Sequence, residues 1–236
     1  MNIQILFEKE GLNDKFKTGW GMSYLVGGGL LFDTGEKFEF LEHNAGIMGI
    51  DLSAIKKVVI SHQHLGHVGG LIGFLQKYNK VTVYLCEHSS DDLKRQVKDF
   101  GAELVEVLTS MEIDKGIFTT GQVVASGSEG LLAEQALLIK DGEKNIVMAG
   151  CCHSGVLNIF EKINFASGGR ITADLFIGGT HLMEKDKRYA EYIALRMHEA
   201  AKAVSLGHCT GFEAAEGFKK IYGDAYRELK SGMELT

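Results

Sequence analysis

Residues 61–70 read SHQHLGHVGG, and they are the strongest indication of fold and function in the chain. Three histidines, His62, His64 and His67, directly follow an apolar run at residues 58–60. A short apolar run bounded by turn signals predicts a buried strand, and α/β proteins place ligands and catalytic groups at strand ends. Because neutral imidazole is the commonest protein ligand for zinc, iron and related metals, this spacing predicts a metal-binding loop.

Two further histidines occur in similar settings. His153 follows the apolar residues 146–149, and His208 follows residues 203–206. Each therefore comes after another predicted strand. Glycines flank both positions, which favours a functional role over simple packing.

The pattern of apolar residues predicts alternating strands and helices. Strands are predicted near residues 2–7, 22–33, 57–61, 82–86, 103–107, 117–126, 134–140, 145–150, 174–178 and 203–206. Helices are predicted near residues 70–78, 90–100, 155–165, 187–202 and 212–222. This alternation indicates a layered α/β fold with two sheets covered outside by helices.

The histidine loop resembles that of the metallo-β-lactamase superfamily, whose hallmark is His-x-His-x-Asp-His after a strand. Residues 31–35 (LFDTG) are similar to that superfamily's early Asp-Thr-Gly element. The chain also resembles a narrower branch of this superfamily, labelled 7,8-dihydropterin-6-methyl-4-(β-D-ribofuranosyl)-aminobenzene-5'-phosphate synthase-like. This resemblance lies in residues 134–137, 150–155, 178–182 and 208–211. The resemblance implies a four-layer αββα sandwich that forms a single domain over residues 1–236.

The resemblance also implies a division of the ligands between two metal ions. His62, His64 and His153 would hold the first ion, and His67 and His208 would remain for the second. Gly66 stands where the superfamily has aspartate, so the second site is expected to be weakened. Zinc is the expected metal, with iron or manganese as alternatives. A Gly66→Asp substitution is expected to fit, because a loop at a strand end should face open metal space.

Other residues near these motifs leave alternatives open. His181 either acts on substrate, as a ligand or a proton donor, or caps the following helix. Cys152 and Cys209 adjoin proposed ligands, so a thiolate could replace the missing carboxylate, although small buried cysteines are common. Three basic residues either bind a substrate phosphate or are solvated surface residues: Arg170, Lys185 and Lys187.

Composition restricts the partners of the protein. The 236 residues carry a net charge of −6, which leaves no basic surface for nucleic acid and favours a small-molecule substrate. No run approaches the roughly 20 apolar residues of a membrane helix. Four cysteines are too few for a disulfide scaffold, so a cytoplasmic location is expected. The oligomeric state stays open.

These observations predict a metal-dependent hydrolase that cleaves a phosphoester or related bond with a metal-activated water. The substrate would contain a pterin or a phosphate group, as the branch resemblance implies. One alternative is a catalytically degraded protein that binds a metal or small ligand, since Gly66 lacks a carboxylate. Another is redox chemistry at an iron centre, because imidazole sites also accept iron.

Overall fold

The computed structural model describes residues 1–127 and 130–235. These residues form two compact units, one of Met1–Leu108 with Leu229–Thr236 and one of Thr109–Glu228. Each unit contains a seven-stranded mixed sheet and several helices. The predicted α/β class is thereby confirmed, and the single domain over residues 1–236 stays a prediction.

The first unit is built on a sheet whose parallel strands end at the histidine loop. Its strands are β1 (Ile3–Phe7), β2 (Ser23–Val26), β3 (Leu30–Phe32), β4 (Lys57–Val59), β5 (Thr82–Cys86), β6 (Glu103–Val107) and β16 (Glu234–Leu235). The strand order is β16-β1-β2-β3-β4-β5-β6. Strands β3 to β6 run parallel, whereas β16, β1 and β2 pair antiparallel.

Four helices accompany this sheet and supply one side of its core. They are α1 (Phe38–Ile47), α2 (Leu65–Val68), α3 (Leu71–Lys77) and α4 (Asp91–Asp99). Strand residues Leu31, Val58 and Val83 pack in one apolar cluster with Phe74 of α3 and Val97 of α4. Alternate residues of the strands thus face the helices, as the period of a β-strand requires.

The second unit repeats this arrangement with its own mixed sheet. Its strands are β7 (Thr109–Asp114), β8 (Ile117–Gly121), β9 (Val123–Gly127), β10 (Gly130–Glu134), β11 (Leu137–Asp141), β12 (Lys144–Met148), β13 (Leu175–Gly178), β14 (Val204–Leu206) and β15 (Tyr226–Glu228). The large sheet has the order β15-β14-β13-β12-β11-β8-β7, and β9 pairs with β10. Strands β12 to β15 run parallel.

Three helices cover the core of this second unit. They are α5 (Val156–Ala166), α6 (Lys187–His198) and α7 (Phe212–Tyr222). Val147 and Phe176 of the sheet pack in one cluster with Phe160, Met197 and Phe218 of these helices. Among the described residues, no helix has both the length and the apolar character needed to cross a bilayer.

Local chemistry explains where the predicted elements hold and where they differ. The helix predicted near residues 90–100 is confirmed as α4, where the Ser90 side chain accepts a hydrogen bond from the Leu93 amide. The single strand predicted over residues 22–33 is wrong, because Gly27 and Gly28 turn the chain with φ of 58° and 79°. Helix α1 was not predicted, and its start at Lys37 carries no side-chain cap that would mark it.

The packing of Gly66 overturns the expectation that an aspartate would fit there. Gly66 is buried in α2, and its carbonyl oxygen accepts a hydrogen bond of 3.1 Å from the Met22 amide. A Cβ added at Gly66 would lie 2.5 Å from the carbonyl oxygen of Trp20 and 3.0 Å from the Cα of Gly21. The space around Gly66 is therefore filled by backbone, not open to a metal.

Introducing a side chain at residue 66 should therefore destabilise the protein and should not create a ligand. We expect both Gly66→Ala and Gly66→Asp to lower the free energy of unfolding by about 1–3 kcal/mol, the usual cost of overpacking. Neither should raise the number of metal ions bound per chain. Denaturant unfolding and metal titration by calorimetry check both points. Normal stability of Gly66→Asp with a gain of one bound ion would contradict this prediction. It would show that the backbone of residues 20–21 moves to make space for the side chain.

Candidate functional site

The predicted histidine loop forms a compact group of imidazoles in the first unit. Strand β4 ends at Val59, and α2 begins directly after His64. The ring centroids of His62 lie 4.9 Å from those of His64 and 4.0 Å from those of His67. The structure thus brings together the three histidines of the loop.

A buried carboxylate behind these rings fixes their orientation. Asp33 is fully excluded from solvent. Its Oδ1 accepts a hydrogen bond from the Ser61 amide at 2.6 Å, and its Oδ2 accepts one from Ser61 Oγ at 2.6 Å. The Nδ1 of His67 lies 2.6 Å from the same Oδ2. An ionised carboxylate only accepts hydrogen bonds, so His67 must carry its proton on Nδ1.

The same network determines the proton position on His62. Ser61 Oγ gives its single proton to Asp33, so it accepts from the Nδ1 of His62 at 2.9 Å. In a neutral ring this places the lone pair of both His62 and His67 on Nε2. A carboxylate or hydroxyl that holds the outer nitrogen of a histidine in this way is the usual support of a metal ligand.

Two histidines of the loop are buried. His62 and His67 are each only 1% exposed, and both take part in the network with Asp33 and Ser61. Asp33 and Ser61 were missed as functional residues. A usable signal existed, because both follow neighbouring strands and would meet at one sheet edge if these strands run parallel.

The remaining predicted residues lie at one edge of the second sheet. His153 follows β12, His181 follows β13 and His208 follows β14, three adjacent parallel strands. The ring centroids of His153 and His181 are 4.1 Å apart. His208 is buried, and its Nε2 lies 3.4 Å from the Sγ of Cys151. The carboxyl ends of adjacent parallel strands thus place these three histidines at one edge of the sheet.

A second buried carboxylate shapes the loop that carries His153. Glu134 accepts hydrogen bonds from the His153 amide at 3.0 Å, the Ser154 amide at 2.7 Å and the Ser154 hydroxyl at 2.6 Å. Burial raises the pKa of Glu134, and these hydrogen bonds oppose that rise. Glu134 therefore acts as a fixed acceptor at the end of β10, a role the sequence did not indicate.

The cysteines divide between the apolar core and this edge. Cys152, once a candidate thiolate ligand, packs in the apolar cluster of the second unit. Its φ of 60° turns the chain so that the neighbouring Cys151 faces His208. Burial opposes ionisation of Cys209, but hydrogen bonding from Cys151 and the proximity of His208 bring the pKa of its thiol well below the ordinary value. Hydrogen bonding to Cys209 raises the pKa of Cys151.

Several polar atoms around His181 are suited to a bound ligand. Within residues 1–127 and 130–235, the buried Oγ1 atoms of Thr180 and Thr210 and the Nδ1 of His181 lack a hydrogen-bond partner. Neighbouring Cys209 raises the pKa of the half-buried His181. Unsatisfied buried polar atoms are costly, so their grouping points to a ligand or ion that completes them. Arg170, a phosphate-binding candidate, instead donates to the Glu199 carbonyl oxygen at 3.3 Å.

Comparison with known proteins gives the relationship of the chain. Residues 21–124 match the family described as the metallo-beta-lactamase superfamily. The 7,8-dihydropterin-6-methyl-4-(beta-D-ribofuranosyl)-aminobenzene-5'-phosphate synthase of Methanocaldococcus jannaschii is 25% identical, with 94% of this chain and 91% of that protein covered.

Solved structures show the same fold. Tm1679, a metal-dependent hydrolase of the beta-lactamase superfamily, is 27% identical with a TM-score of 0.81, covering 100% of this chain and 98% of that chain. Zn²⁺-bound PqqB from Methylobacterium extorquens shares the fold with a TM-score of 0.68 at 12% identity, over 100% of both chains. The sequence match over residues 21–124 and the shared fold agree: the chain is similar to the metallo-β-lactamase superfamily and has its fold.

Proposed function

We propose that the protein is a metal-dependent hydrolase that cleaves a phosphoester or related bond in a small, phosphate-containing molecule. The observation that carries this proposal is the hydrogen-bond network of Asp33 and Ser61. It holds the protons of His62 and His67 on Nδ1 and leaves Nε2 as the coordinating atom. Such pre-organisation has little purpose in a core histidine, and it is the usual support of a metal ligand.

The proposed ligands follow the family resemblance. His62, His64 and His153 hold one ion, and His67 and His208 contribute to a second. Zinc is the proposed metal, with iron and manganese as alternatives. Bound zinc would lower the pKa of a water molecule at the site to about 7 and so supply hydroxide at neutral pH.

His181 is proposed as the residue that transfers a proton to the leaving group. Its ring is half-buried, and its Nδ1 lacks a partner within the described part of the chain. Neighbouring Cys209 raises the pKa of this ring, which favours the protonated form that a general acid needs. The phosphate in the name of the Methanocaldococcus relative supports a phosphate-containing substrate. A cytoplasmic location is proposed with it, because four cysteines are too few for a disulfide scaffold.

The packing of Gly66 favours a second candidate, a metal- or ligand-binding protein without turnover. Backbone fills the space beside Gly66, so the carboxylate of the two-metal family members has no place there. Metal analysis separates the candidates. Bound zinc or manganese with phosphodiester turnover supports the hydrolase, whereas bound metal without turnover across ester classes supports the binding protein. Iron with a redox-dependent visible spectrum supports redox chemistry.

The direct test of the proposed function compares wild type with the double variant His62→Ala/His64→Ala. Wild type loaded with zinc or manganese should hydrolyse bis(p-nitrophenyl) phosphate, and the double variant should lose the first metal ion and the activity. Removing two imidazoles takes away the ligands themselves, so the affinity for this ion should fall by more than the roughly 10- to 100-fold that supporting residues cost.

The matched control is His43→Ala/His88→Ala, which removes two exposed imidazoles of the same unit. It should keep full metal content and activity. Full metal content in the His62/His64 variant would refute the ligand assignment, and inactivity of metal-loaded wild type towards phosphate esters would refute the proposed reaction.

Asp33 should act through the histidines that it orients. In Asp33→Asn, one carboxylate oxygen becomes an NH2 group that cannot accept, so the side chain can no longer satisfy the Ser61 amide together with the Ser61 hydroxyl and His67. The proton position on the rings is then no longer fixed. We expect metal affinity to fall by about 10- to 100-fold, measured by calorimetric titration. The control Asp174→Asn changes a carboxylate that also accepts a backbone hydrogen bond, from Asn145. Equal metal affinities in wild type and Asp33→Asn would show that the hydrogen-bond network of Asp33 does not support metal binding.

His181 should affect turnover more than metal content. In His181→Ala we expect kcat to fall by about 10²- to 10⁴-fold, the usual contribution of a general acid, with metal content near wild type. Steady-state kinetics and elemental analysis of one preparation give both values. His198→Ala, which removes a ring packed on Tyr222 in the same unit, serves as the control. Parallel loss of metal would instead identify His181 as a ligand.

A further inference from the structure

The edge of the second sheet carries a group of soft metal donors. Cys151, His208 and Cys209 are all buried, and one side-chain donor atom from each lies within 4.8 Å of the other two. The Sγ of Cys151 and the Nε2 of His208 lie 3.4 Å apart. All three residues belong to the same compact unit, on the loops after β12 and β14.

These separations match those of ligands around one ion. Zinc bonds of about 2.3 Å to sulfur and about 2.1 Å to nitrogen, at the tetrahedral angle, place the two atoms about 3.6 Å apart and two sulfurs about 3.8 Å apart. The observed 3.4 Å between sulfur and nitrogen is close to the first value. Only small side-chain adjustments are therefore needed to bind a metal.

The backbone is arranged to present these donors. A Cβ at Gly179 would collide with the Sγ of Cys209, so a residue without a side chain leaves the space that this thiol occupies. Cys152 has a positive φ and directs its own thiol into the apolar cluster. Cys152 is thus a structural cysteine of the apolar core. Cys151 and Cys209 differ from it, because they lie beside a histidine and beside each other.

We propose that Cys151, His208 and Cys209 form a thiolate site for zinc or another soft divalent metal. Two cysteines and one histidine fill three of the four positions of a tetrahedral zinc site and leave the fourth to a further ligand. The inference deepens the proposed function and rests on it to this extent: His208 is the ligand assigned there to the second ion, and the two thiolates supply negatively charged ligands to that ion. Soft ligands would also make this ion harder to exchange for manganese or magnesium.

Cobalt provides a test that does not depend on turnover. Added to metal-free full-length protein, Co²⁺ bound by thiolate gives a charge-transfer band in the near ultraviolet. We expect this band in wild type, with about half of its intensity in Cys151→Ala and in Cys209→Ala, because each soft ligand contributes its own transition. The double variant should lose the band. Cys152→Ala is the matched control and should keep it in full.

Each outcome decides the inference. Cobalt bound without a charge-transfer band in wild type, no cobalt binding at all, or a band lost equally in Cys152→Ala would overturn it. Circular dichroism shows whether the variants fold, and if they do not, the wild-type band still gives the answer. A band without phosphodiester turnover would count against hydrolysis and leave the thiolate site in place. Phosphodiester turnover without the band would count against the thiolate site and leave the proposed hydrolysis in place.

Discussion

The buried Asp33 carboxylate is the interaction on which the histidine loop depends. A charge fully excluded from water is costly unless hydrogen bonds satisfy it, and Asp33 obtains them from the Ser61 amide, the Ser61 hydroxyl and His67. The parallel pairing of β3 and β4 makes this possible, because Asp33 and Ser61 follow strands that end at the same sheet edge. The proton positions on two imidazoles follow from these hydrogen bonds. The same carboxylate therefore orients two candidate metal ligands.

Strained backbone conformations occur close to the candidate functional residues. Among the described residues, the non-glycine positions with positive φ are Asp33, Cys152 and His181, at 60°, 60° and 52°. Each comes shortly after a strand end that carries a candidate functional residue. Such conformations cost on the order of 1–3 kcal/mol each and persist where the surroundings enforce them. At Asp33 this backbone conformation accompanies the hydrogen-bond network of the carboxylate. At Cys152 it turns the neighbouring Cys151 towards His208.

The sequence predicted the features that local pattern determines. The spacing of His62, His64 and His67 and the apolar run before them were sufficient to place a loop of candidate ligands at a strand end. The runs before His153 and His208 likewise predicted the edge of the second sheet. Features that depend on contacts distant in sequence were missed or wrong. The environment of Gly66 is set by the backbone of residues 20–21, and no pattern around Gly66 contains that information. Similarly, Cys151 rather than Cys152 faces His208 because of one backbone angle.

X-ray absorption spectroscopy of the zinc-loaded protein at the zinc edge detects the metal ligands themselves and so decides whether the histidines bind the metal. We expect the multiple-scattering pattern of imidazole with nitrogen at about 2.0–2.1 Å, together with a sulfur shell at about 2.3 Å. A spectrum of oxygen ligands without imidazole scattering would contradict it, since the histidines ordered by Asp33 would then not be metal ligands.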